Sequence, residues 1–277
     1  MIPPKMPRWA DLGRGLPRAM RLGLATRGNT HLAPEDVAHA VERGVNYLNW
    51  CGYDDGLARA VRDGLIDRRQ VILALQLESR DAAGAEREFE NGLRLLGMER
   101  IDVVTFYYVE RESEWRRITA PGGALEALTS FQDRRVVSLI GLTTHQRPLG
   151  VRCAESGKLD LLMIRYNAAH RGAEEDVFPV TDRLRIPVVA YTAQRWGALL
   201  KPTRADPPGY RPPPAREWSR FTLSHRSVSV ALMAPNGRHE LEDNLRLLDD
   251  WRPPSAEDLE ILSAHGRRVR RHAGVFW

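Results

Sequence analysis

The chain has 277 residues, of which 43% are apolar and 28% charged, with a formal net charge of +5. That length suits one barrel of eight strand–helix units, which takes about 250 residues, so residues 1–277 read as a single domain. Runs of about 18 apolar residues are lacking, the N-terminus has no apolar leader core, and two cysteines, Cys51 and Cys153, are no disulfide framework, so no membrane-spanning helix and a cytoplasmic setting are expected.

Short apolar runs alternate with amphipathic stretches. The first run covers residues 22–25. A helix then opens at Pro34-Glu35-Asp36, with proline and acids in its first turn, and stops at Arg43-Gly44. Runs at 46–48 and 71–75 precede a helix over 82–96 that ends at Gly97. The run at 103–106 precedes a helix over 123–133, the run at 137–142 one over 146–155, and the run at 161–164 one over 174–184. After the run at 187–190 the rhythm breaks. The run at 229–232 precedes a helix over 240–249, and 255–271 reads as a last helix. Short β-branched or leucine-rich runs suit parallel strands buried on both faces. Eight of them, alternating with helices, predict a closed (β/α)8 TIM barrel.

The break is the proline-dense segment 201–217. It can be neither regular helix nor central strand, and reads as a substrate-side loop or as a plain surface excursion. The densest basic run, Arg267, Arg268, Arg270, Arg271 and His272, lies on the last helix without interleaved aromatics. It reads as a solvated helix face and not as a nucleic-acid surface. The terminal Phe276-Trp277 pair either tucks into the barrel mouth or packs on its base.

Several collinear pieces resemble the aldo-keto reductases. Gly44-Val45-Asn46-Tyr47-Leu48-Asn49 followed by Tyr53 is similar to that family's second strand. Leu96-Gly97 with Ile101-Asp102, the stretch from Val137 to Thr144, Leu159-Asp160 with Tyr166-Asn167, and Tyr191 with Gly197 resemble later segments in order. The 13-residue stretch from Leu232 to Asn244 resembles the family's last strand and following helix without a gap.

The resemblance implies carbonyl reduction with NADP(H), or NAD(H), on a small-molecule substrate. It also implies a proton-donating tyrosine supported by an aspartate, a lysine and a histidine. Matched position by position, the aspartate is Asn49, the lysine Gln76 and the histidine Tyr107, while Tyr53 keeps the phenol one residue closer than usual. Lost acid–base support costs about 10²–10⁴ in rate, so ordinary aldehyde reduction is expected to be weak. On the cofactor side the resemblance points to Thr143, Thr144, Met163 and Tyr191 around the nicotinamide, and to Thr192 and Gln194 along the pyrophosphate. It points to Asp243 and Asn244 near the adenine, with Arg238 as a substitute for the 2′-phosphate arginine. The alternative for Asp243-Asn244 is a purely structural role on the helix.

Other polar residues stand at strand ends. Tyr107, Tyr108 and Glu110, then His145 and Arg147, then Arg165, His170 and Arg171, then Arg195 and Trp196 suit an anionic or polyhydroxylated substrate. His145 is the strongest substitute acid or base, because imidazole titrates near neutrality. No defensible metal-ligand spacing occurs. The readings that remain are an NADP(H)-dependent oxidoreductase with a non-standard proton donor, a non-redox lyase or isomerase, and a catalytically weak ligand-binding pseudo-reductase.

Overall fold

Every apolar run expected to be a strand forms one in the computed structural model, which describes residues 6–26 and 31–272. Two short strands come first, β1 (Trp9–Ala10) and β2 (Ala19–Met20), paired antiparallel. Eight parallel strands follow: β3 (Leu22–Ala25), β4 (Tyr47–Trp50), β5 (Ile72–Leu77), β6 (Val103–Phe106), β7 (Leu139–Thr144), β8 (Leu161–Arg165), β9 (Val188–Tyr191) and β10 (Val228–Met233). They close in sequence order, β10 pairing with β3, into a (β/α)8 barrel. Strands β5 and β7 outlast the apolar pattern, to Leu77 and Thr144. Their last inward positions, Gln76 and Thr143, are polar because they face a cavity, so hydrophobicity alone ends those strands early.

The surrounding helices are α1 (Pro34–Glu42), α2 (Gly56–Arg62), α3 (Ala82–Leu96), α4 (Glu112–Thr119), α5 (Ala124–Asp133), α6 (Arg147–Glu155), α7 (Val177–Leu184), α8 (Ala215–Ser224), α9 (Gly237–Asp249) and α10 (Ala256–Arg271). Helix α3 has the ends its sequence announces. Asp81 Oδ1 accepts from the Gly84 amide at 3.0 Å, and Gly97 takes the left-handed conformation. Helices α2, α4 and α8 were not expected. The proline-rich segment therefore ends at Pro214, because α8 starts at Ala215. Asp206 within it is tied to Thr203 and Arg268, docking the loop on α10. Phe276 and Trp277 lie outside the described residues.

Inward side chains fill the lower barrel: Tyr47, Ile72, Val103, Leu139, Leu161 and Val230 are all buried there. The filling leaves no room at Gly23, where a Cβ would sit 2.8 Å from Val230 Cγ1. Leu12 and Ala19, from the β1–β2 hairpin, plug the bottom. Two aspartates at that end stitch neighbouring strands. Asp102, before β6, accepts from the Leu73 amide of β5 at 2.9 Å and pairs with Arg68 at 2.7 Å. Asp160, before β8, accepts from the Ile140 amide of β7 at 3.0 Å and pairs with Arg14 at 2.7 Å. The hydrogen bonds and ion pairs at this face serve stability, while the opposite face is where barrels build sites.

Candidate active site

The C-terminal strand ends open into a cavity of about 310 Å³. Side chains alternate along a strand, so the residues two beyond the packed lumen form its floor. Asn49 follows Tyr47 on β4, Gln76 follows Ala74 on β5, and Thr143 follows Gly141 on β7. All three line the cavity, together with Met163 of β8 and Tyr191 of β9. The floor is polar and under-satisfied. Asn49 Oδ1 and Gln76 Oε1 are buried with no hydrogen-bond partner among the described residues, as are the hydroxyls of Tyr47 and Thr105 just below. Burial, then the charge of Asp102, pushes the Tyr47 phenol well above its usual range. An unmade buried hydrogen bond costs about 1–3 kcal/mol, so these atoms are set to receive a polar group.

An aromatic wall stands on one side. The Tyr107 amide extends the β6 pairing by donating to Leu77 O at 2.8 Å. Tyr108 is left-handed (φ 41°), which folds its ring onto Tyr107 at 4.1 Å between centroids. His145 packs against Tyr108 at 4.6 Å and edge-on to Tyr191 at 5.3 Å. Tyr191 is itself fixed, its hydroxyl donating to Thr144 O at 2.8 Å. Glu110 holds His145 from behind through Nδ1 at 3.0 Å. Burial alone would raise the Glu110 carboxyl, but the side-chain and backbone hydrogen bonds from His145 bring it below the usual value.

The other side is the segment after β9. Thr192, Arg195 and Trp196 are all left-handed, with φ of 56°, 50° and 50°. Three such non-glycine residues in five store strain of a kind that collects at functional sites. The segment is held by Arg195 N donating to Thr192 O at 2.8 Å and Gln194 Nε2 to Asn244 Oδ1 at 2.8 Å. Thr192, Gln194 and Trp196 line the cavity, which ends at Glu240 in the first turn of α9.

The sequence candidates thus divide. Asn49, Gln76, Tyr107, Thr143, Met163, Tyr191, Thr192 and Gln194 converge on one cavity. Thr144 is buried beside it, and His145 backs its wall. Tyr53 is 56% exposed and is not among the cavity-lining residues. Arg238 is paired with Asp36 at 3.1 Å and Glu242 at 2.9 Å. Asp243 pairs with Arg216 at 2.7 Å and accepts from the first amide of α8 at 3.2 Å. Both are engaged with protein groups away from the cavity. Cys51 lines it, and Glu240 was missed. Its only sequence signal is an acid in a first turn that follows a strand end. Among the described residues no group of three His, Cys, Asp or Glu is placed to hold a metal, and no helix is long and apolar enough to cross a membrane.

A family model described as the aldo/keto reductase family matches residues 19–217. The chain belongs to the aldo/keto reductase family. That membership supports an oxidoreductase-type activity. Among solved structures the chain is similar to the holo form of aldo-keto reductase AKR11C1 from Bacillus halodurans, at 17% identity and a TM-score of 0.73, covering 93% of this chain and 96% of that one. The apo form of the same protein matches at 18% identity and 0.73, covering 93% and 95%. At such identities the likeness concerns the fold. No sequence among curated proteins matches the chain.

Proposed function

We propose that this aldo/keto reductase family member is an oxidoreductase that binds NADP(H), or NAD(H), in the strand-end cavity and acts on a small carbonyl or alcohol with a non-standard proton donor. One observation carries the reading: a single cavity runs from the carboxamides of Asn49 and Gln76, past the Tyr191 ring, to Glu240 at the start of α9. The residues present fit such a group. Tyr191 offers a pinned aromatic face, Thr143 a hydroxyl beside it, and the 13-residue helix α9 a positive N-terminal dipole at the far end. Glu240 works against a 2′-phosphate there, since a carboxylate accepts from a ribose hydroxyl but repels a phosphate. The nucleotide, when bound, supplies or accepts hydride at its nicotinamide.

The chain's own residues have the remaining tasks. The amide nitrogens of Asn49 and Gln76 donate to a substrate oxygen, and their orphaned oxygens accept from a substrate hydroxyl. Neither brings the charge of an aspartate or lysine, so neither tunes a phenol by ionising. Tyr107 and Tyr108 both line the cavity and stack on each other, and Tyr107 directly extends β6, its amide bonded to Leu77 O. It takes the proton-donor role, which the exposed Tyr53 is poorly placed to fill. A neighbouring imidazole, His145, is held by Glu110 so that Nε2 points away from that carboxylate. Fluorescence titration of the full chain with NADPH and NADH, followed by an aldehyde panel, tests the reading. Saturable binding with slow turnover is expected; failure of both nucleotides to bind at millimolar concentration overturns it.

A further inference from the structure

The turn after β6 brings Tyr107 and Tyr108 to the cavity, and an ion pair from its neighbours grips the backbone of that turn. Tyr108 is left-handed (φ 41°), a conformation that a non-glycine residue keeps only where its surroundings impose it. Arg80, in the loop after β5, imposes it. Its Nη2 donates to Tyr107 O at 2.6 Å and to Tyr108 O at 3.3 Å. One guanidinium nitrogen thus gathers two successive carbonyls. Nη1 of the same group donates to Glu78 O at 2.8 Å, two residues beyond Gln76. Arg80 therefore ties the end of β5 to the end of β6, and with them Gln76 to Tyr107.

Glu114 of α4 completes the grip. Its Oε1 accepts from Arg80 Nε at 3.3 Å and from Nη2 at 3.2 Å. Its Oε2 accepts from the Glu110 and Arg111 amides, each at 3.0 Å. Between these bonds the Val109 amide donates to Thr143 O at 2.9 Å. The pair thus holds the turn on both sides, by the carbonyls of residues 107 and 108 and the amides of 110 and 111. The Arg80 side chain is only 15% exposed, so its charge-assisted bonds are weakly screened. Neither Arg80 nor Glu114 lines the cavity. They reach a bound molecule only through the residues they hold.

We propose that Arg80 is a positioning residue: anchored by Glu114, it fixes the stack of Tyr107 on Tyr108 and so aims the Tyr107 phenol into the cavity that Gln76 also lines. The catalytic consequence rests on the reading of Tyr107 as proton donor, whereas the placement of the rings does not. A guanidinium suits the task because its nitrogens lie in one fixed plane and serve carbonyls on two loops at once. A lysine ammonium is a point charge on a flexible stem. Misplacing a reacting group by about 1 Å costs up to about 10²-fold in rate.

Near-ultraviolet circular dichroism and steady-state kinetics of the full chain test the proposal. The variants are Arg80→Gln, Arg80→Lys and Glu114→Gln, the last of which breaks the anchor and keeps the cation. The signal of the stacked pair is the part of the spectrum lost in Tyr107→Phe. Arg80→Gln is expected to lose most of that part well below its melting temperature, and Arg80→Lys to restore only a fraction of it. A residue that merely added stability would lower the melting temperature and leave the native spectrum alone. In turnover with NADPH and a reactive aldehyde, Arg80→Gln should lower kcat about tenfold or more, with KM within about a factor of two. In the Tyr107→Phe background the same change should cost less than about twofold, because the group it aims is gone. If Arg80→Gln folds poorly, Glu114→Gln carries the same expectations. A native spectrum that keeps the stacked-pair signal in both Arg80→Gln and Glu114→Gln overturns the proposal. So does a kcat loss that persists in full in the Tyr107→Phe background. If Tyr107→Phe turns over as fast as the unaltered chain, or the unaltered chain does not turn over, the donor reading falls and the spectrum alone decides the role of Arg80.

Discussion

Glu110 Oε1 accepts twice from one residue, from the His145 amide at 2.8 Å and from its Nδ1 at 3.0 Å. The carboxylate fixes both the start of the turn after β7 and the ring that props the aromatic wall. Its Oε2 also accepts from Gln146 Nε2 at 3.2 Å. This clamp makes the wall one cooperative unit. A double-mutant cycle of Glu110→Gln and His145→Ala in denaturant melts should give a coupling of about 1 kcal/mol, since the pair is only partly buried. Simple additivity would count against the clamp. The Glu110 carboxyl lies below its ordinary value in the folded state, so its contribution is present above the unfolded carboxylate range. It is lost as pH falls through the folded value.

The placement of Tyr53 and Tyr107 separates their roles. Tyr107→Phe should lower turnover by about 10²-fold or more if Tyr107 donates the proton. Tyr53→Phe should leave kcat within about a factor of two, because a half-exposed ring outside the cavity contributes little to the barrier. Steady-state kinetics at fixed NADPH reads both. The reverse pattern would return the proton to Tyr53.

His170 ties stability to pH. Burial and the charges of Arg165, Arg270, Arg195 and His145 hold its folded imidazole at about 3, against 6.5 unperturbed. Between those values the unfolded chain binds more protons, so stability falls as pH drops from about 6.5. A full proton gives about 1.4 kcal/mol per pH unit, and partial exposure makes the observed slope smaller. His170→Gln should flatten that limb in urea melts between pH 6.5 and 4. An unchanged slope would refute the assignment.

The two stitching aspartates should differ in weight. Asp102 is almost fully buried and holds Arg68, whereas Asp160 is more open. Asp102→Ala is expected to cost about 3 kcal/mol, as breaking a buried pair does, and Asp160→Ala about 1 kcal/mol. Thermal melts of the two variants decide the order.

Glu240 should tune nucleotide choice. Glu240→Gln removes a negative charge from the far end of the cavity, where a 2′-phosphate would add another. The ratio of NADPH to NADH affinity should rise about fivefold, an interaction of roughly 1 kcal/mol at an exposed site. A ratio that stays put would mean that Glu240 does not meet the ribose.

The barrel was legible because its rule is repetitive. Buried parallel strands must be apolar on both faces, and Leu22, Val103, Leu161 and Val188 advertise them in order. Gly97 and Asp81 mark the ends of α3 in the same local way. Helices α2, α4 and α8 escaped because they are short, and α8 follows directly on a proline run. The strand ends escaped for a different reason: where Gln76 and Thr143 face a cavity, the apolar signal stops before the strand does.

The site was half legible. The order of motifs located Asn49, Gln76, Tyr107 and Tyr191 at corresponding strand ends, and period-two alternation sends them inward. What the sequence determined by itself was therefore the barrel and the family. Which polar groups meet was decided in three dimensions. Tyr53 faces solvent, Arg238 and Asp243 are held in ion pairs with Asp36 and Arg216, and α10 packs on the turn after β8, with Gly266 against Ala168. Periodicity is a property of neighbours in sequence, whereas a hydrogen bond or a shared cavity depends on where separate elements come to rest.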